Sequence, residues 1–190
     1  MDHPVVAVYD ANILYPAPIR DLFMRLAHAG LVRAKWTEEI HDEWIRNVLK
    51  NNPAITQERL TRTRRLMNEA IRDCLVTDYE GRIPNLSLPD PNDRHVLAAA
   101  IQARASVIIT FNLRDFPASI LAAYDLNAIH PDTFLVDLLD ADTESVCEAV
   151  SQQRRALRNP PKTADELLDT LETQGLRQSC EKLRLLVDSL

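Results

Sequence analysis

Glycine is scarce in this chain, with 3 residues in 190 against 11 prolines, and the balance of 46% hydrophobic to 26% charged residues is that of a globular protein. Collagen-like and disordered classes are excluded. Long apolar runs are missing as well: stretches such as Val5–Tyr9 and Val96–Ile101 fall far short of the roughly 18 residues a transmembrane helix needs. The opening Met-Asp-His-Pro is acidic where a signal peptide is basic, and the apolar run after it is too short for one, so the chain reads as cytoplasmic, with no membrane partner. Its three cysteines (Cys74, Cys147, Cys180) are odd in number and lack any C-x-x-C spacing. That excludes a disulfide framework and a thiolate zinc site, and leaves them as small core residues.

Lysine is rare too. Of 22 basic residues 18 are arginine, and five of these (Arg59, Arg62, Arg64, Arg65, Arg72) fall within Glu58–Asp73. The net charge of −6 therefore says little about polyanion binding, because a phosphate feels the local patch rather than the total.

Val5-Val6-Ala7-Val8-Tyr9, ending at polar Asp10-Ala11-Asn12, has the pattern of a strand buried on both faces, which implies a parallel sheet. Helical patterns follow at 18–29, closed by Gly30, at 37–50 behind Thr37 as N-cap, and at 56–75 behind Thr56. Residues 79–92 read as a loop leading into a helix at 91–105. Val107–Thr110 is the second convincing strand; a short helix near 117–124, a strand at Asn127–His130 and a helix opening at Pro131-Asp132 continue the alternation. The result is an α/β fold, a central parallel sheet flanked by helices, over residues 1–140. Residues 141–190 read as a helical C-terminal extension, with amphipathic patterns at Glu144–Arg158 and Ala164–Leu190 separated by Asn159-Pro160-Pro161-Lys162.

In open parallel sheets ligands bind outside the carboxyl ends of the strands. The first strand delivers Asp10 and Asn12 there; the second delivers Thr110, Asn112 and Asp115. Asp90-Pro91-Asn92-Asp93 is a good helix start, and capping accounts for Asp90. It accounts less well for Asp93, which lies one turn before Leu97 on the face that packs against the sheet, where a carboxylate needs a partner or a cation. In the helix 37–50, Glu39 and Glu43 share a face, and the helical wheel does not choose between them. Carboxylates from separate elements meeting at one sheet edge repel unless a hard cation holds them. Oxygen ligands without a His or Cys cluster select Mg²⁺ or Mn²⁺, which suits hydrolysis of a phosphodiester.

The order Asp10, Glu43, Asp93, Asp115 resembles the PIN domain family, the ribonuclease fold of VapC-type toxins in bacterial toxin–antitoxin pairs. VYDANILYP, TEEIHDEWIRNVL, DPNDRHVLAAAIQARASVIITFNLRDFP and HPDTFLVDLL carry the resemblance, the third most specifically, over about residues 4–140. It implies a PIN-like fold and a metal-dependent endoribonuclease that leaves a 3′-hydroxyl and a 5′-phosphate. Asp10, Glu43, Asp93 and Asp115 would be the catalytic metal ligands for Mg²⁺ or Mn²⁺, with Asn112 as the alternative to Asp115. Asn12, Thr110, Asn112 and Asp90 would support them, and Arg46, Arg94 and Arg114 would contact RNA. An antitoxin and a homodimer are the implied protein partners. His41 and His95 read as helix-surface or packing residues. Two other classes compete. A haloacid-dehalogenase-type phosphatase would need a second Asp where Asn12 stands and a catalytic lysine at a strand end, and neither is present. A catalytically inactive PIN-fold RNA-binding or assembly module would bind RNA without metal.

Overall fold

The computed structural model describes residues 4–190; Met1–His3, on which the reading of the N-terminus partly rests, lie outside the described residues. Four parallel strands, β1 (Val6–Tyr9), β2 (Arg33–Lys35), β3 (Val107–Ile109) and β4 (Asn127–Ile129), form one sheet in the order β2-β1-β3-β4. Ala7 pairs with Ala34 on one side and with Val107 on the other, and Ile109 pairs with Ile129. The middle strands β1 and β3 are the two that the apolar runs announce, and almost every residue in them is buried.

Helices α1 (Ala11–Leu14), α2 (Ala17–His28), α3 (Glu38–Asn51), α4 (Gln57–Ala70), α5 (Arg94–Gln102), α6 (Ala118–Leu121) and α7 (Pro131–Ala141) surround the sheet. Thr37 and Thr56 cap α3 and α4 by accepting the N–H groups of Ile40 and Arg59, as their positions lead one to expect. Helix α4 stops at Ala70, short of the 75 that periodicity suggests. Asp73, in the left-handed region at φ 54°, turns the chain so that Leu75 runs parallel beside Trp36, and the Trp36 N–H donates to Cys74 O at 2.9 Å. This bridge lies just beyond β2, a strand the sequence hides: Ala34 is its one buried residue, and charged Arg33 and Lys35 flank it, as befits an edge.

A polar chain ties α3 and α4 to this edge. Trp36 Nε1 donates to Asn68 Oδ1 (2.8 Å), His41 Nε2 lies 2.9 Å from the same oxygen, and Trp44 Nε1 donates to His41 Nδ1 (2.9 Å). His41 is fully buried rather than on the helix surface, and burial lowers its pKa, which keeps the ring neutral for this role. Asn68→Ala strands two buried donors at once. It is expected to cost about 2–4 kcal/mol of stability, measured by urea unfolding.

Beyond α7 come α8 (Thr143–Ala156), α9 (Ala164–Thr173) and α10 (Arg177–Arg184); the run read as one pattern from Ala164 splits at Gly175, where φ is 102°. Helix α8 packs on α2, and α10 packs on α7 and α9. Buried Gln153 fastens α8 by donating to Pro18 O at 2.8 Å. No helix among the described residues is long and apolar enough to cross a membrane.

Candidate active site

From β1 the chain moves outward to β2, and it re-enters the sheet at β3 before moving outward again to β4. The crevice between the carboxyl ends of β1 and β3 is therefore a topological switch point, where open α/β sheets bind ligands. Asp10 and Thr110 leave the two strands at this place.

Asp10 is buried, and each of its oxygens is engaged. Oδ1 caps α1 by accepting the Ala11 N–H (2.7 Å); Oδ2 accepts the Thr110 hydroxyl (2.7 Å) and the Asn12 amide (2.6 Å). The Thr110 oxygen in turn accepts from Asn12 Nδ2 (2.9 Å) and from the Asn112 N–H (3.0 Å), while Asn12 Oδ1 accepts the Phe111 N–H (3.1 Å). Asn112 also donates its side-chain amide to Asp115. Asp10, Asn12, Thr110, Asn112 and Asp115 are thus one hydrogen-bonded net.

Asp93 stands at the N-cap position of α5 and makes no capping bond; the adjoining turn Pro91–Asp93 is capped by Asp90, whose Oδ1 accepts the Asn92 N–H at 2.8 Å. Freed from capping, the Asp93 carboxylate meets other acids. Oxygens of Asp90, Asp93 and Asp115 all lie within 4.8 Å of one another. Asp90, read from sequence as a supporting residue, thus belongs to the tightest oxygen cluster.

Electrostatics draw in the remaining two acids. Burial, followed by the charges of Asp10, Asp90, Asp115 and Glu43, pushes the Asp93 carboxyl up to about 7. Burial also raises Asp10 to about 6; the Thr110 hydrogen bond opposes this, and the Glu43 charge adds to it. Such mutual repulsion among oxygen donors fits a hard divalent cation, with the net around Asp10 holding one carboxylate in a fixed orientation.

The same geometry separates the two glutamates of α3. Glu43 is the one whose charge bears on Asp10 and Asp93, whereas Glu39 accepts the Tyr79 hydroxyl at 3.1 Å. His95 lies between them, buried, with Nε2 3.4 Å from Glu43 Oε2 and Nδ1 3.8 Å from Glu39 Oε2. Burial lowers the His95 pKa, but the adjacent Glu43 carboxylate and the charges of Glu39 and Asp10 outweigh it, and the net shift is upward. His95 is thus neither on the surface nor merely apolar packing. Nothing local in the sequence announces it, because its partners lie about 50 residues away.

Of the three arginines singled out from sequence, Arg46 and Arg114 are exposed, and Arg94 is partly buried with Nε donating to Pro91 O at 2.9 Å. None of the three has an ion-pair partner among the described residues. Elsewhere, Arg64 pairs with Glu38 and Asp42, and Arg65 with Glu69. The acids stand at the carboxyl ends of β1 and β3 and at the start of α5. A groove of about 620 Å³ lies among α2, α4 and the extension, and none of the site acids lines it.

Two family profiles match the chain: one described as PIN domain over residues 6–114, and one described as VapC50 C-terminal domain over residues 131–185. A protein of Mycobacterium tuberculosis (strain ATCC 25618 / H37Rv) named "Putative ribonuclease VapC50" is 44% identical over 93 residues, covering 49% of this chain and 55% of that protein. The chain thus spans about half the length of the curated relative it matches. No solved structure gives a significant match. The PIN profile covers more than half of the chain and takes in β1, α3, α5 and β3 with Asp10, Glu43 and Asp93, ending one residue before Asp115, so the chain belongs to the PIN domain family.

Proposed function

We propose that this protein is a metal-dependent endoribonuclease and the toxin of a type II toxin–antitoxin pair, with a nuclease domain over residues 1–140 and a helical extension over 141–190. The observation that carries this reading is the carboxylate of Asp93, which stands at a helix N-cap without capping, clusters with those of Asp90 and Asp115 within 4.8 Å, and feels the charges of Asp10 and Glu43. Asp10, Glu43, Asp93 and Asp115 would hold Mg²⁺ or Mn²⁺, with Asp90 beside Asp93 and Asp115. Bound there, the ion supplies Lewis-acid activation of a water and of the scissile phosphodiester.

The chain's own residues do the rest. Thr110 and Asn12 fix the Asp10 carboxylate, and Asn112 fixes Asp115. Arg94 keeps its terminal guanidinium nitrogens for phosphate while Nε holds Pro91 O, and exposed Arg46 and Arg114 flank the acids from α3 and from the turn after β3. Hydrolysis breaks the bond from phosphorus to O3′, leaving a 3′-hydroxyl and a 5′-phosphate. The relative's ribonuclease name supports the reaction class; a cytoplasmic location, restraint by a cognate antitoxin and a homodimer are part of the same proposal and follow from the VapC-type resemblance.

The test is induction in bacterial cells with sequencing of RNA 5′ ends, paired with cleavage by the purified protein in Mn²⁺ or EDTA. Growth arrest with discrete new 5′-phosphate ends, and cleavage that EDTA stops, is the expected result. RNA binding that is indifferent to EDTA and unaccompanied by new ends would instead mark an inactive RNA-binding module. The same assay separates the two glutamates. Glu43→Gln is expected to lose at least about a hundredfold in cleavage, whereas Glu39→Gln stays within about threefold.

A further inference from the structure

We infer that the C-terminal extension forms a working wall of the active site, the turn between α9 and α10 holding Phe111 and through it the Thr110–Asn112 segment. The catalytic consequence rests on the nuclease reading; the mechanical coupling does not.

The contact begins with a glycine. Helix α9 ends in a Schellman turn: the Gly175 N–H donates to Glu172 O (2.9 Å) and the Leu176 N–H to Leu171 O (3.2 Å), with Gly175 at φ 102°. A Cβ at Gly175 would stand 3.0 Å from Phe111 Cε1. The Phe111 ring also meets His130 edge-on, with centroids 5.1 Å apart and planes at 85°. The ring thus contacts both the extension's backbone and the residue that caps α7.

Phe111 is at the same time a backbone member of the site. Its N–H donates to Asn12 Oδ1, and it sits between Thr110, which orients Asp10, and Asn112, which bonds Asp115. Moving the ring moves that segment.

A second contact fixes the turn in place. Helix α10 has no capping side chain of its own at Leu176. Buried Asp132, in the first turn of α7, supplies the cap from 46 residues away. Its Oδ2 accepts the Gln178 N–H (2.9 Å), and its Oδ1 accepts the N–H (2.9 Å) and hydroxyl (2.6 Å) of Ser179. Asp132 follows His130 by two residues, so the strut that presses on Phe111 and the clasp that holds α10 are neighbours in the chain. A mere cover would need neither.

The experiment uses the full chain. Hydrogen exchange at the Phe111 and Asn112 amides in metal-free protein reads the bonds to Asn12 and Thr110 directly, and calorimetry with MnCl₂ reads the site. Gly175→Val and Phe111→Leu are each expected to speed exchange at both amides at least tenfold and to weaken Mn²⁺ binding about tenfold, the usual scale for groups that orient ligands. Arg184→Ala serves as the control, because it breaks the Asp169 and Glu172 ion pairs inside the extension without touching Phe111. It should leave both readings within about twofold.

Unchanged exchange in both variants, or equal acceleration by Arg184→Ala, overturns the inference. Phe111→Leu guards against a Gly175→Val protein that fails to fold, because it removes the ring contact without straining the turn. Should exchange respond as expected in a protein that binds no Mn²⁺ and cuts no RNA, the wall stands and the nuclease reading falls.

Discussion

Asp93→Asn is expected to lower RNA cleavage by at least about a thousandfold while raising the melting temperature of the metal-free protein at pH 7.5. The two effects have one cause. Asp93 is pushed up to about 7 by partial burial and by the charges of Asp10, Asp90, Asp115 and Glu43, so its ionised form is repelled by four acids whenever no cation is present. An asparagine of nearly the same shape removes that repulsion and leaves α5 intact, since the aspartate makes no capping bond there. The same change takes away a charged oxygen that a cation needs. A metal contributes several kcal/mol of charge stabilisation to phosphodiester hydrolysis, and each factor of ten in rate corresponds to about 1.4 kcal/mol. Cleavage rates in Mn²⁺ and melting curves in EDTA measure the two halves. A variant that melts lower than wild type in EDTA would show Asp93 to be a structural acid, and a variant that still cuts RNA within tenfold of wild type would remove it from the site.

The residues that were legible in the sequence are those whose signal is local. β1 and β3 stand out as unbroken apolar runs because both are interior strands, and the polar residues directly after them, Asp10 and Thr110, are placed by topology alone. Thr37 and Thr56 are legible as caps because a cap is defined by the three residues that follow it. β2 is illegible for the converse reason: an edge strand of three residues buries only Ala34 and needs no apolar run. Glu43 is singled out from Glu39 only by family resemblance, because on the helical wheel the two are equivalent; His95 touches both, and the contact specific to one is the Tyr79 hydroxyl on Glu39, brought in from another element. Phe111 and Gly175 stayed hidden in the same way, as a ring and a turn 64 residues apart. Asp90 illustrates a further limit. Its capping role is visible in Asp-Pro-Asn-Asp, but that its carboxylate also joins those of Asp93 and Asp115 is a fact of three dimensions.

Stability of the metal-free protein is expected to fall as pH rises from about 4 to about 7, and Mn²⁺ is expected to flatten that fall. The folded-state carboxyls of Asp10, at about 6, and Asp93, at about 7, both lie above the ordinary 3.8, so between these values the folded state binds more protons than the unfolded one. Under linkage, stability then decreases with increasing pH, the reverse of the usual behaviour of a salt-bridged aspartate. For fully buried Asp10 a displacement of about two pH units amounts to about 3 kcal/mol, lost by pH 7 and half gone near pH 5. Asp93 adds less than its shift alone would imply, because water reaches part of its carboxyl. His95 acts in the same direction, since a raised imidazole pKa gives stability that is present below the ordinary value of 6.5 and lost as pH climbs through the folded one. A cation that binds only the folded, ionised cluster reverses the loss by mass action, at about 2.7 kcal/mol when present at a hundred times its dissociation constant. Urea unfolding of wild type in EDTA at pH 5 and pH 8, with Asp93→Asn alongside to subtract the carboxylates common to both, isolates the effect. If wild type gains on the variant between pH 5 and pH 8, the acids are paired with buried cations of the protein itself, and the site has no need of a metal.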